Sequence, residues 1–157
     1  MSIERGRAYF RELGIEDRVR EFDVSSATVE LAAEALGVDG ARIAKTLSFK
    51  TQDGGCMLIL AAGDARIDNK KYKSEFHLKA KMLSPDEVLE MVGHPVGGVC
   101  PFGINEGIEV YLDESLKRFT TVFPAVGSAS SAIELNLQEL FEYSKAIKWI
   151  DVCKLPE

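Results

Sequence analysis

The stretch "IAKTLSFKTQDGGCMLILAA", Ile43 to Ala62, limits the fold more than any other part of the chain. Ile43 to Lys50 reads as a strand, Asp53-Gly54-Gly55 as a hairpin turn, and "CMLILAA" as its partner. A continuously apolar strand of this kind is a buried one. Such a hairpin needs more sheet beside it and helices packed over it.

Helix signals surround the hairpin. Ser2 can cap a first helix running to Leu13, with Gly14 as its stop. Val29, Ala32, Ala33 and Leu36 repeat at helical spacing and give an amphipathic helix ended by Gly37. Asp68 can cap a helix through Phe76. Ser84-Pro85-Asp86-Glu87 combines a cap, a proline at the first position and a reciprocal glutamate, so a helix starts there and ends at Gly93. Asn136 with Glu139 opens a last helix. Further strands are expected at "RVREFDV", Ile108–Leu112, Thr120–Val122, Ala132–Leu135 and "AIKWIDV". Helices and strands mix without strict alternation. The expected fold is therefore α+β (mixed α/β), with a mixed, largely antiparallel sheet surrounded by helices. The 157 residues suit one domain spanning 1–157.

The balance of charge narrows the partners. A net charge of −6 is the wrong sign for coating nucleic acid non-specifically. Basic residues are nevertheless grouped: Lys70, Lys71, Lys73, Lys79 and Lys81, with Arg66 before them. This is either a solvated lysine-rich helix or a local face that docks one shaped polyanion. No apolar run is long enough to span a membrane, and the N-terminus lacks the apolar core of a secretory signal. A cytoplasmic location is expected. Cys56, Cys100 and Cys153 form no C-x-x-C pair, and His77 and His94 are the only histidines, so neither a disulfide framework nor a metal site is expected.

Two places can carry chemistry. Side chains alternate across a strand, so Ile43, Lys45, Leu47 and Phe49 share one face while Ala44, Thr46, Ser48 and Lys50 share the other. Lys45 on an apolar face either reaches water along its stem or lines a pocket as an ammonium ready for an anion. The second place is "VGGVCPFGI", Val96 to Ile104. Gly97, Gly98, Val99, Cys100 and Pro101 can form a structural turn, a cradle of exposed N–H groups, or the seat of a reactive thiol. Cys100 as a nucleophile needs a base, and His94 is the nearest candidate in sequence. A small polar loop, Val126–Ser131, can add hydroxyls and N–H groups to a pocket.

"ARIAKTLSFK", "LILAAGDARIDNKK", "MLSPDEVLEMVGHPVGGVCPFG" and "VYLDESL", in this order and spacing, resemble the YbaK/prolyl-tRNA synthetase editing-domain family. The similarity runs from about Val29 to Phe141. It implies a mixed, barrel-like β-sheet with flanking helices. The implied activity is trans-editing: hydrolysis of the ester of mischarged tRNA, here tRNA(Pro) carrying alanine, cysteine or serine. The family's characteristic lysine corresponds to Lys45, the catalytic candidate, and its G-x-x-x-P loop to Gly97–Pro101. The small loop corresponds to Gly127-Ser128, and Thr46 adjoins the lysine. These residues are the substrate-binding candidates. Many relatives carry serine where this chain has Cys100. Lys70, Lys71 and Lys73 are candidates for contact with the tRNA. The resemblance implies no metal and no cofactor, assistance from the substrate's ribose 2′-hydroxyl, and prolyl-tRNA synthetase as a partner. Two other activities compete: a module that holds aminoacyl-tRNA or a nucleotide without turnover, and a cysteine hydrolase using Cys100.

Overall fold

The computed structural model describes residues 2–26 and 28–156, with the side chain of Ser2 excepted. The cap expected from Ser2 thus lies outside the described residues. The hairpin forms as its residues dictate. Strand β2 (Ala44–Lys50) pairs antiparallel with β3 (Cys56–Ala62), Thr46 opposite Leu60 and Lys50 opposite Cys56. Every residue of β3 is buried, as its unbroken apolar run requires. On its other side β3 pairs in parallel with β5 (Glu109–Asp113), which pairs in parallel with β9 (Lys148–Ile150). The main sheet is therefore ordered β2-β3-β5-β9.

Three short antiparallel ladders complete the strands: β1 (Arg20–Glu21) with β7 (Ser131–Ala132), β4 (Arg66–Ile67) with β10 (Cys153–Lys154), and β6 (Thr121–Val122) with β8 (Leu135–Asn136). Among the described residues the sheets stay open and do not close into a barrel. The strand expected over "RVREFDV" shrinks to β1, because a 3-10 turn takes Glu16–Arg18 and its partner β7 is equally short. The strand expected over Ala132–Leu135 splits between β7 and β8, since Ile133 turns its N–H to the Pro124 carbonyl.

The helices follow their caps. Helix α1 is Ser2–Glu12. Helix α2, Val29–Leu36, is capped by Thr28 and packs Val29, Ala32, Ala33 and Leu36 on Ile43 and Phe123. Helix α3, Asn69–Phe76, is capped by Asp68. Helices α4 (Pro85–Met91) and α5 (Leu137–Tyr143) both carry complete capping boxes, Ser84 with Glu87 and Asn136 with Glu139. Tyr72 of α3 places its ring 5.1 Å from that of Phe49, so α3 covers the Leu47–Phe49 face of β2. The opposite face, with Ala44, Thr46 and Ser48, is left to line a cleft.

Candidate functional site

That cleft has a volume of about 340 Å³, within the range of small-molecule sites. Its floor is the Ala44–Thr46–Ser48 face of β2. Val29 and Ala32 of α2, Val88 of α4 and Phe123 form apolar walls, and Gly97 and Val99 of the glycine loop close one side. Among the described residues no carboxylate, histidine or thiol borders it.

The glycine loop is held from behind. Gly97 has φ +92°, a conformation that favours glycine, and the turn is closed by the Gly98 N–H donating to the Pro95 carbonyl at 3.0 Å. The Gly98 amide is thereby spent. Among the described residues the amides of Gly97 and Val99, both beside the cleft, have no protein acceptor. A Cβ at Gly98 would lie 2.6 Å from the Ser128 N and Cα and 2.7 Å from the Gly127 carbonyl carbon. The two loops singled out in the sequence therefore meet backbone to backbone. Gly98, Gly127 and Ser128 form this seam, and neither they nor Cys100 and Pro101 border the cleft itself. Ser131 stitches the second loop, accepting from the Val126 and Ser128 N–H groups and donating to the Ser128 carbonyl.

Cys100 is fully buried, and burial pushes its thiol up to about 12. Its Sγ donates weakly to the Phe102 carbonyl at 3.5 Å. A thiol so placed carries no thiolate at neutral pH and does not reach the cleft, which removes the nucleophile from the cysteine-hydrolase reading. His94 is not its base either. The imidazole is fully buried, 2.7 Å from the Phe102 carbonyl through Nε2. A carbonyl only accepts, so Nε2 carries the proton. Nδ1 is left buried without a partner. Burial holds the histidine below its ordinary value, with the Arg5 charge adding to the effect.

Lys45 borders the cleft, but its ammonium is turned to the turn after β3. Nζ donates to the carbonyls of Ala65 and, at 3.4 Å, of Gly63. An ammonium has three N–H donors, so one remains for a ligand. Burial lowers its pKa; neighbouring Asp64 works in the other direction. Gly63 cannot be larger, because a Cβ there would lie 2.0 Å from the Gly40 carbonyl oxygen. Thr46 is the other anomaly. Its Oγ1 is buried with no hydrogen-bond partner, an arrangement that costs about 1–3 kcal/mol while it stays unpaired.

Lys70, Lys71 and Lys73 belong to α3 and therefore to the face of β2 opposite the cleft. Lys71 pairs with Asp151 at 3.0 Å and donates to the Cys153 carbonyl. Three supports escape sequence reading. Arg5 of α1 donates to Asn105 Oδ1 at 3.0 Å and to the Gly93 carbonyl. Asn105 donates to the Met91 carbonyl. His94 closes the loop on Phe102. Each acts between segments far apart in sequence or through a carbonyl, and neither leaves a local pattern.

Residues 23–143 match the model of the aminoacyl-tRNA editing domain. The chain belongs to the aminoacyl-tRNA editing-domain family. The chain is 58% identical, over 98% of both chains, to the uncharacterised protein YwhH of Bacillus subtilis (strain 168). A proline–tRNA ligase of Thermotoga sp. (strain RQ2) is 37% identical over 83% of this chain but only 22% of the ligase, so this chain spans about a fifth of that protein. Among solved structures, a candidate trans-editing enzyme for prolyl-tRNA synthetase superposes with TM-score 0.87 at 29% identity, covering 98% of this chain and 97% of the other. The editing-domain match starts at residue 23, so α1 precedes it. Among the described residues no helix is long and apolar enough to cross a membrane.

Proposed function

We propose that this chain, residues 1–157 acting as one unit, is a cytoplasmic trans-editing aminoacyl-tRNA deacylase. Its substrate is tRNA(Pro) mischarged with alanine, cysteine or serine. The observation that carries the reading is the meeting, in a chain of the editing family, of the Lys45–Thr46 strand with two uncommitted loop amides across one cleft.

An aminoacyl ester is already activated, so hydrolysis needs positioning and charge stabilisation more than a covalent nucleophile. Water adds to the ester carbonyl carbon. The carbon–oxygen bond to the ribose breaks, and the proton from water passes to the ribose oxygen. The products are the free amino acid and uncharged tRNA. The Gly97 and Val99 N–H groups suit the developing oxyanion, each such donor contributing about 3 kcal/mol. The free N–H of Lys45 suits the terminal phosphate or the ester region. Its carbonyl clamp fixes the ammonium in advance, which spares the reaction the cost of ordering it. With no carboxylate or histidine bordering the cleft among the described residues, proton transfer falls to the substrate's ribose hydroxyl. No metal or cofactor enters these steps.

Lys70, Lys71 and Lys73, on the far face of β2, suit the phosphates of the tRNA body rather than its aminoacylated end. Prolyl-tRNA synthetase, which makes the mischarged product, is the natural partner.

The test is a deacylation panel in which amino acid and tRNA vary independently. Release of a small amino acid from tRNA(Pro), lost in Lys45→Ala at unchanged fold, supports the reading. Tight binding across the panel without release replaces it with a holding module.

A further inference from the structure

The turn that clamps Lys45 is itself held from two sides. It runs from Ala62, at the end of β3, to Ala65, whose N–H donates to the Ala62 carbonyl at 3.0 Å. On one side the Gly63 N–H donates to the Ala41 carbonyl at 3.3 Å. On the other stands the 3-10 turn Glu114–Arg118. Its Ser115 hydroxyl accepts from the Ala62 N–H at 3.1 Å, and the Ser115 N–H is seated on the buried carboxylate of Asp113 at 2.9 Å. Arg118 completes the contact. Its guanidinium donates to both carboxylate oxygens of Asp64, at 3.0 and 2.6 Å, and its Nε donates to the Ser115 carbonyl at 3.0 Å. Asp64 lies between Gly63 and Ala65, the two residues whose carbonyls accept from Lys45 Nζ.

We propose that Asp64 and Arg118 are positioning residues for Lys45: their two-pronged pair fixes the turn whose carbonyls hold the ammonium, leaving its third N–H in one place for the substrate. What the ammonium serves rests on the deacylase reading above; the holding does not. A lysine is a point charge on a flexible four-carbon stem, so something else must fix it. Any tilt of the peptides on either side of Asp64 moves both acceptor carbonyls at once. Two parallel bonds to a planar fork set direction as well as distance. Both side chains are partly exposed, and ion pairs of that kind add little to stability. The pair therefore matters for geometry more than for folding. Its charge works in the same direction. Bonding to Arg118 holds the Asp64 carboxyl below its ordinary value, so a carboxylate stands near the ammonium. Glu30 also favours the charged lysine and Arg66 opposes it, while the nearby Cys153 thiol, pushed up to about 12 by burial, is neutral.

The experiment follows the Lys45 ammonium directly, by NMR of the full chain with labelled lysine side chains, the resonance being assigned by its loss in Lys45→Ala. Exchange of its N–H protons with water is measured in the wild type, Asp64→Ala and Arg118→Met, and kcat and KM for deacylation on the same preparations. Arg18→Met is the control: it breaks a similar two-pronged pair, with Glu139, that touches neither the turn nor Lys45. In the wild type the Lys45 protons should exchange more slowly than those of the exposed lysines. Asp64→Ala and Arg118→Met should each speed that exchange about tenfold and lower kcat about tenfold with KM within about twofold. Arg18→Met should change neither. Unaltered exchange in Asp64→Ala or Arg118→Met overturns the inference, as does a wild-type ammonium that exchanges like the exposed lysines. Faster exchange with unaltered kcat overturns it too, because the held ammonium then does not limit turnover. An equal response to Arg18→Met shows general loosening and also overturns it. All these results leave the deacylase reading intact. A wild type that releases no amino acid overturns that reading instead, and the exchange rates still decide whether the pair holds the ammonium.

Discussion

Replacing Gly98 by alanine tests whether the backbone seam between the two loops holds the cleft in shape. The added Cβ would stand 2.6 Å from the Ser128 N and Cα and 2.7 Å from the Gly127 carbonyl carbon. Carbon atoms settle at about 3.5–4.0 Å, so the loops must part by roughly 1 Å. All three obstructing atoms are backbone, and no rotamer change relieves them. Gly98 does not have a positive φ, so alanine meets no backbone strain and the clash acts alone. Overpacking of this kind costs about 2 kcal/mol, which lowers Tm by about 4–8 °C in a chain of this size. The same displacement carries the Gly97 and Val99 amides away from their positions, and a shift near 1 Å lowers turnover about 100-fold. The assays are thermal unfolding by circular dichroism and deacylation rate on the same preparations. Ser128→Gly should not rescue the double variant, since it removes no clashing atom. A Gly98→Ala protein with wild-type Tm and wild-type turnover would refute the seam as a support of the site.

Four further outcomes follow from the same geometry. Lys45→Ala should abolish amino-acid release while lowering stability by only about 1–2 kcal/mol, the cost of two carbonyls losing their donor; Tm and single-turnover release measured together separate these effects. Cys100→Ser should keep turnover within a few-fold, because the buried thiol contributes no thiolate; a severe loss would restore the cysteine mechanism. His94 has its folded pKa depressed, so it contributes stability that is full above its unfolded value of about 6.5 and is lost as pH falls below that toward the lower folded value. Tm should therefore drop between pH 7.5 and pH 5.5 by more in the wild type than in His94→Gln, which keeps a donor to Phe102 but does not titrate. Lys70→Ala with Lys73→Ala should raise KM for tRNA and flatten its salt dependence while kcat holds, as expected for contacts to phosphates alone.

The local parts of this molecule were legible because their causes are local. Ser84-Pro85-Asp86-Glu87 and Asn136 with Glu139 gave helix starts that form as complete capping boxes. The Ile43–Ala62 hairpin was legible because a glycine turn joins two β-rich runs, and its register follows from the turn. The parallel pairings of β3 with β5 and of β5 with β9 were not, since nothing in a strand's own pattern names a partner more than thirty residues away. The site divides in the same way. Residue types pointed to Lys45, Thr46 and the glycine loop. Alternation placed Thr46 and Lys45 on opposite faces of β2, but not the Lys45 ammonium against the Gly63 and Ala65 carbonyls. Nor did it place Gly98 against Ser128, because close approach of backbones has no side-chain signature.

Helix α1 has its partners late in the chain. Gly6 packs so closely on Val126 that a Cβ would lie 2.2 Å from its carbonyl oxygen, the Phe10 ring lies 4.7 Å from that of Phe102 at a tilt of 55°, and the Tyr9 hydroxyl donates to the Tyr143 carbonyl. During synthesis the ribosome must add 120 residues after Gly6 before Val126 exists, about 6–24 s at ordinary elongation rates. An eleven-residue helix is marginal alone in water. Through that interval Tyr9 and Phe10 of the nascent chain are without Phe102 and Tyr143 to pack against. A segment made before its partners is thus locked in place only once they follow.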